Sequence, residues 1–297
     1  MPGLPRSEPR QPGLGRGALR QSAFRGNPRT RDRGLTGRSV DTVLRESLET
    51  FLATGEDPVE GALIVAGIVD PDAEIEWARG EIDRLATEVG AAGNVEPRKL
   101  VEDVSACGFK GAGKRYYEIE NSLLDHVLKS RRGIPISLGV VLIGIARRLG
   151  LEALGVNFPR HFLITIGDLL VDPYAVAPTS IESCRAWLRE NKVSEEGAFG
   201  IADAGDIVLR MLNNVRMLVQ SRGDFTRALE ISDYQLVMVP DSYALRVERA
   251  DAWLGLRAPE MVVAELEQAV QHAPDEATAE RLRERIEQAR RLKSSVN

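Results

Sequence analysis

Apolar positions along the chain change their spacing three times. From Val40 to Leu52 they fall at Val40, Val43, Leu44, Leu48 and Leu52, steps of three and four that predict one helix face, with Asp41 as its cap. Val59–Val69 predicts a second, strongly apolar helix. Asp72–Val89, carrying Ile75, Trp77, Ile82 and Leu85, predicts a third, and Glu96–Ala106 a fourth. Acidic residues or proline precede each, as helix starts favour. Trp77, Trp187 and Trp253 read as core residues. Asn121-Ser122 is expected to cap a short helix holding Leu123, Leu124, Val127 and Leu128, with Asp125 in its first turn. Pro135 stands where a first helical turn tolerates proline, and Ile136–Leu149 after it is apolar nearly all round. Such a helix has no face for water and belongs at the centre of a core. Gly139 and Gly144 would let neighbours approach it closely, and Gly150 ends it.

Ala153–Asn157 and the segment after it supply strands. In His161-Phe162-Leu163-Ile164-Thr165-Ile166-Gly167-Asp168-Leu169-Leu170-Val171-Asp172, Gly167-Asp168 is a two-residue turn between two runs of β-formers. That turn pairs Ile166 with Leu169 and Leu163 with Asp172. Alternation then puts His161, Leu163 and Thr165 on one face with Leu170, Asp172 and Tyr174. His161 and Asp172 become diagonal neighbours, roughly 7 Å apart at the backbone and within reach of an imidazole–carboxylate hydrogen bond.

From Asp206 the chain reads as helical again, and it repeats. Pro240 and Pro274 lie 34 residues apart, the period of a tetratricopeptide repeat. Ala228 and Ala269 occupy small-residue positions of that repeat. Arg222-Gly223-Asp224 and Leu254-Gly255-Leu256 are the expected turns inside each helix pair. Val262 stands where alanine is expected, so the second repeat is degenerate. Ala277–Leu292, rich in Glu and Arg, reads as the polar cap that covers the exposed end of a short repeat array.

Composition narrows the class. The chain has 297 residues, 43% hydrophobic and 28% charged, with net charge −5, which fits a soluble globular protein and gives no general affinity for nucleic acid. No apolar run approaches the ~20 residues of a membrane span, and the N-terminus lacks the apolar centre of a signal peptide. Two cysteines, Cys107 and Cys184, without a CxxC, give neither a disulfide framework nor a metal cluster and fit a reducing cytoplasm. Three scattered histidines do not suggest zinc, and nothing implies a cofactor. Residues 1–38 hold nine Arg and almost no aliphatic residue to bury. They read as a disordered tail, the one part whose charge suits RNA or an acidic surface. The expected organisation is that tail, a domain over 39–200 (helical part 39–107, core 108–200), and repeats with a capping helix over 206–297. The fold class is α+β and mostly helical.

The motif order carries a resemblance. Asn121-Ser122, Val127-Leu128, Arg132-Gly133-Ile134-Pro135-Ile136-Ser137-Leu138, Arg148-Leu149-Gly150-Leu151, Gly155-Val156-Asn157-Phe158-Pro159-Arg160-His161-Phe162 and Val171-Asp172-Pro173-Tyr174, followed by tandem repeats, resemble the SirB-type family. Those proteins join a transglutaminase-like domain to tetratricopeptide repeats, and the resemblance spans roughly residues 42–275. It implies a papain-like core, a central helix on a small antiparallel sheet, followed by an α-solenoid of helix pairs. Transglutaminase-like enzymes place a cysteine at the head of that helix, facing a histidine and an aspartate. Here His161 and Asp172 match the last two. Pro135 or Ile136, depending on the direction of counting, holds the cysteine's place. Two other nucleophiles come into question. Ser137, polarised by the helix start, would make a hydrolase or acyl transferase with His161 as base and Asp172 as orienter. One residue along a helix turns a side chain by about 100°, so Ser137 need not face His161. Cys107 lies in a segment that could pass nearby. Asn121, Arg132 and Tyr174 are candidates to line a binding cleft. The expected role is a non-enzymatic, protein- or peptide-binding one, with the repeats as the interaction surface, no membrane association and no oligomeric state set by the sequence.

Overall fold

A computed structural model describes residues 41–296, apart from 56, 92 and 94. The expected disordered tail, and Val40 of the first periodic run, lie outside the described residues.

Four helices open the chain: α1 (Thr42–Thr54), α2 (Pro58–Val69), α3 (Ile75–Gly90) and α4 (Pro97–Ala106). Asp41 caps α1 through the amides of Val43 and Leu44, and Asp57 caps α2 through that of Val59. A two-residue strand, β1 (Lys110–Gly111), leads through two short 3₁₀ turns to α5 (Leu124–Ser130). Next come β2 (Arg132–Gly133), which runs parallel to β1, and α6 (Pro135–Arg148). The strands β3 (Ala153–Phe158), β4 (His161–Ile166), β5 (Leu169–Asp172) and β6 (Ala177–Pro178) follow, then α7 (Ile181–Glu190) and β7 (Gly200–Ala202). These five strands form one antiparallel sheet in the order β6-β5-β4-β3-β7.

The helix α6 is the axis of the fold. Every residue from Pro135 to Ala146 is buried. Its glycines do what their spacing predicts. A Cβ on Gly139 would lie 2.8 Å from the Phe162 ring, and one on Gly144 would lie 2.5 Å from Val59 Cγ2. The sheet therefore seats on one side of α6 through Phe162 and Ile164, and α2 on another.

The last five helices are α8 (Ala204–Ser221), α9 (Phe225–Met238), α10 (Tyr243–Gly255), α11 (Pro259–Gln271) and α12 (Glu276–Val296). They form two antiparallel pairs and a terminal helix, with Pro240 and Pro274 between them. One apolar cluster runs from Leu48 of α1 through α6 and into α8 and α9, including Val208, Leu212, Ala228 and Ile231. A separate cluster joins α10, α11 and α12 around Ala250, Leu266 and Ile286.

Three expectations change. Asn121 and Ser122 do not cap α5: they end a 3₁₀ turn, Leu123 takes the cap position, and no side chain caps there. Gly255 does not make the second turn. The helix α10 runs through it, glycine is required there because a side chain would meet the Phe225 ring at 2.5 Å, and the chain reverses two residues later through Arg257 at φ 58°. Trp77 is not core. It is 40% exposed with the Lys129 ammonium 5.2 Å over its ring, a cation–π contact that suits a surface indole.

Candidate functional site

The β4–β5 hairpin closes through Gly167 at φ 54°, a left-handed conformation that glycine adopts without strain. Ile166 pairs with Leu169, Thr165 with Leu170 and Ile164 with Val171. The register expected from the sequence therefore holds, and His161 and Asp172 meet: Nε2 lies 2.9 Å from Oδ1. Each residue is only 4% exposed. Facing a carboxylate, Nε2 donates the hydrogen bond, so the carboxylate orients the ring. Nδ1 has no hydrogen-bond partner among the described residues. Asp172 Oδ1 also accepts from the Tyr174 amide at 2.9 Å and the Ala175 amide at 3.4 Å. The carboxylate is thus fixed by its own chain before it orients the imidazole.

Strand alternation decides what the pair faces. Phe162 and Ile164 point at Gly139 of α6, so His161 and Leu163 point to the opposite side of the sheet. That side is covered by α7. Leu163, Val156 and Phe158 share a small cluster with Cys184, Leu188 and Ala198, and the Phe158 ring rests on Trp187 and Phe199. Ser137 belongs to α6. It is fully buried, its hydroxyl donates to the carbonyls of Asn121 (2.6 Å) and Ile134 (3.1 Å), and its oxygen accepts from the Ile134 amide (3.1 Å). The structure does not bring Ser137 to His161; the serine stitches the head of α6 to the preceding turn.

The thiols are not brought into a triad either. Cys107 closes α4, and the charges that act on it are Glu88, Arg131, Arg84 and Asp103. Burial pushes its thiol up. The thiol on the dyad's face of the sheet is Cys184, which the sequence reading passed over. Burial pushes it up, the Asp172 carboxylate adds to that, and a hydrogen bond with Thr179 opposes it. A nucleophilic cysteine needs the reverse, a depressed pKa beside positive charge. The available signal for Cys184 was the Ser180 cap followed by Cys184 and Leu188 four residues apart, an apolar helix face.

The three cleft candidates separate. Asn121 is buried and works as a strut, its Nδ2 donating to the Arg115 carbonyl. The Tyr174 ring lies against Gly111, and its hydroxyl accepts from the Gly113 amide at 3.0 Å. Arg132 is half-buried, and its guanidinium has no partner among the described residues. Arg210 of α8 was not foreseen: it donates to the His161 carbonyl at 2.7 Å and ties the first repeat to the hairpin. A cavity of about 700 Å³ lies elsewhere, between the end of α1, β3, β7 and the start of α8, lined in part by Phe51, Leu154, Arg147 and Ile207. None of the site residues lines it. Among the described residues, no group of three His, Cys, Asp or Glu side chains is placed to hold a metal, and no helix is long and apolar enough to cross a membrane.

A central helix on an antiparallel sheet that carries a histidine–aspartate hairpin, continued by stacked helix pairs, defines a transglutaminase-like domain joined to tetratricopeptide repeats. Residues 76–213 match the transglutaminase-like superfamily, and 215–287 match the tetratricopeptide repeat. A UPF0162 protein of Vibrio cholerae is 27% identical over 250 residues, 77% of this chain and 90% of its own length. A UPF0162 protein of Xylella fastidiosa is 30% identical over 197 residues, 61% of this chain and 68% of its own length. Protein SirB1 of Salmonella typhimurium is 26% identical over 181 residues, 57% of this chain and 67% of its own length. The chain belongs to this SirB-type UPF0162 family. No solved structure matches it.

Proposed function

We propose that this protein acts by binding other proteins or peptides, with a transglutaminase-like domain that has kept its histidine–aspartate pair and lost its nucleophile. The observation that carries this reading is at the head of α6. By the family resemblance Pro135 or Ile136, depending on the direction of counting, holds the place of the cysteine, and neither side chain can give up a proton. The hydroxyl one step further on is already spent on the backbone of residues 121 and 134. Both cysteines are held as thiols by burial. The His161–Asp172 pair then fastens two strands under α7. Tetratricopeptide repeats supply a surface of the kind that takes protein or peptide partners.

The alternative, a hydrolase or acyl transferase built on Ser137, would need that hydroxyl in line with His161. The serine's three backbone bonds and its side of the sheet weigh against it. The two readings part in one experiment. The purified chain is treated with a fluorophosphonate and with iodoacetamide at neutral pH and then mapped by mass spectrometry. The binding reading expects no rapid label. Prompt modification of Ser137, lost in His161→Gln, would establish the hydrolase instead.

A further inference from the structure

Most arginines and lysines of the described chain are paired with a carboxylate or a backbone carbonyl, and the exceptions are mostly isolated. One group of exceptions is not. Lys110 of β1 and Arg132 of β2 are register partners in the parallel ladder, so their side chains leave it on the same side. The other side of that ladder is closed. A Cβ on Gly133 would lie 2.7 Å from Ser137 Oγ, and one on Gly111 would lie 2.5 Å from the Tyr174 ring, so the two cations point outward. Lys114 follows two residues after Ala112, whose amide donates to the Gly133 carbonyl at 3.0 Å. Lys110 and Lys114 are exposed and Arg132 is half-buried, and none of the three has an ion pair among the described residues.

The loop that carries them is held in place. Tyr174 pins it from below through the Gly113 amide, and the Gly111 amide donates to the Tyr174 carbonyl at 3.0 Å. Tyr174, Tyr116 and Tyr117 form a ladder of rings, 5.9 and 5.2 Å between centroids, that ends at Tyr117, 51% exposed. Arg222, at the end of α8, donates to the Tyr117 carbonyl and joins this loop to the repeats. The loop's own carboxylates, Glu118 and Glu120, come after the tyrosines, and Glu118 faces Arg115 at 3.6 Å.

We infer that the paired Lys110 and Arg132, with Lys114 and the exposed Tyr117 further along the same loop, form a docking surface for an acidic segment of a partner protein. The inference rests on the binding reading above and names the chemistry of the partner. Three uncompensated cations on a fixed strand pair and the loop that follows it attract carboxylates without first breaking existing ion pairs. A neighbouring tyrosine supplies flat, amphipathic contact area of the kind that anchors interfaces. A long nucleic acid is the less suitable polyanion, because its run of phosphates would meet only three cations here.

The test uses the full chain and a fluorescein-labelled poly-glutamate peptide, followed by anisotropy at low and at physiological salt. Binding should weaken with salt, as exposed charge pairs do. It should fall about tenfold or more when Lys110→Glu, Lys114→Glu and Arg132→Glu are combined, and by less with the three Gln substitutions, while both variants keep the wild-type melting temperature. A control reverses three other exposed, unpaired cations, Arg189, Lys192 and Arg257. An equal loss in that control would mean nonspecific charge and would overturn the inference, as would tighter binding of a single-stranded oligonucleotide of equal charge. Cellular partners retained by the Lys110/Lys114/Arg132 variant would leave the binding reading standing and remove this surface from it.

Discussion

Asp172 is the residue on which the hairpin's polar chemistry converges. One carboxylate oxygen takes the imidazole and two backbone amides while 4% exposed. Removing it leaves a buried imidazole N–H and two amides without acceptors. Asp172→Ala should therefore cost about 1–3 kcal/mol in urea unfolding, the range for leaving buried hydrogen-bond donors without an acceptor. A loss under about 1 kcal/mol would mean that water replaces the carboxylate and that the pair is not sealed. The thiols give a pH-dependent prediction. Both are pushed above the ordinary value, about 8.5 for a free cysteine, so less thiolate is present at neutral pH than in a free thiol. In the folded protein, 5,5′-dithiobis(2-nitrobenzoate) should react slowly at pH 7 and faster only as pH rises beyond the usual thiol range; both cysteines should react at once in denaturant. Because the folded pKa values are raised, the unfolded chain ionises first, and stability should fall as pH climbs through that range. A thiol that reacts promptly at pH 7 would contradict this. The His161–Asp172 contact was legible in the sequence because a two-residue turn fixes register and alternation fixes the face. The companionship of Cys184 and Arg210 was not, because the apolar helix face of Cys184 shows that it is buried but not against which face of the sheet, and Arg210 reaches the hairpin only by long-range packing.

At the scale of elements, α6 was the most legible part of the chain, since a helix apolar all round has only one place to go. Its glycines carry a prediction. Gly139→Ala would press on Phe162 and Gly144→Ala on Val59, both well-packed core side chains, so each should cost about 1–3 kcal/mol as overpacking. Gly150 is different: at φ 77° nothing lies within 4 Å of its would-be Cβ, so Gly150→Ala should cost only the backbone strain, about 1–2 kcal/mol. Denaturant melts of the three variants, with circular dichroism to confirm unchanged helix content, check this, and a neutral Gly144→Ala would show that α2 is not seated against α6. The cap expected at Asn121-Ser122 failed for an instructive reason. Those residues have cap chemistry, but their backbone is needed where the turn meets α6, and Ser137 takes the Asn121 carbonyl instead.

For the whole molecule, the repeat pattern begins near residue 206, but the apolar core does not stop there. The helices α8 and α9 share one cluster with α1–α6, while α10–α12 have their own. Arg227 of α9 donates to the carbonyls of Ile68 and Val69 at the end of α2, and Tyr234 accepts from the Asp41 amide. A chain ending near Pro240 should therefore keep a cooperative melt, and one ending near residue 205 should not. A well-folded 41–205 fragment would show that the first helix pair is only an attachment. The period of Pro240 and Pro274 made the repeats legible, but a period says nothing about which repeat fuses with the neighbouring domain. The central claim concerns what the assembled molecule does to what it holds. The most direct measurement is intact-mass spectrometry of a co-purified partner after incubation with the wild-type chain and with His161→Gln. Binding without catalysis predicts a stable complex and a partner mass that does not change with either protein. A partner cleaved, deamidated or cross-linked by the wild type and untouched by His161→Gln would contradict the account.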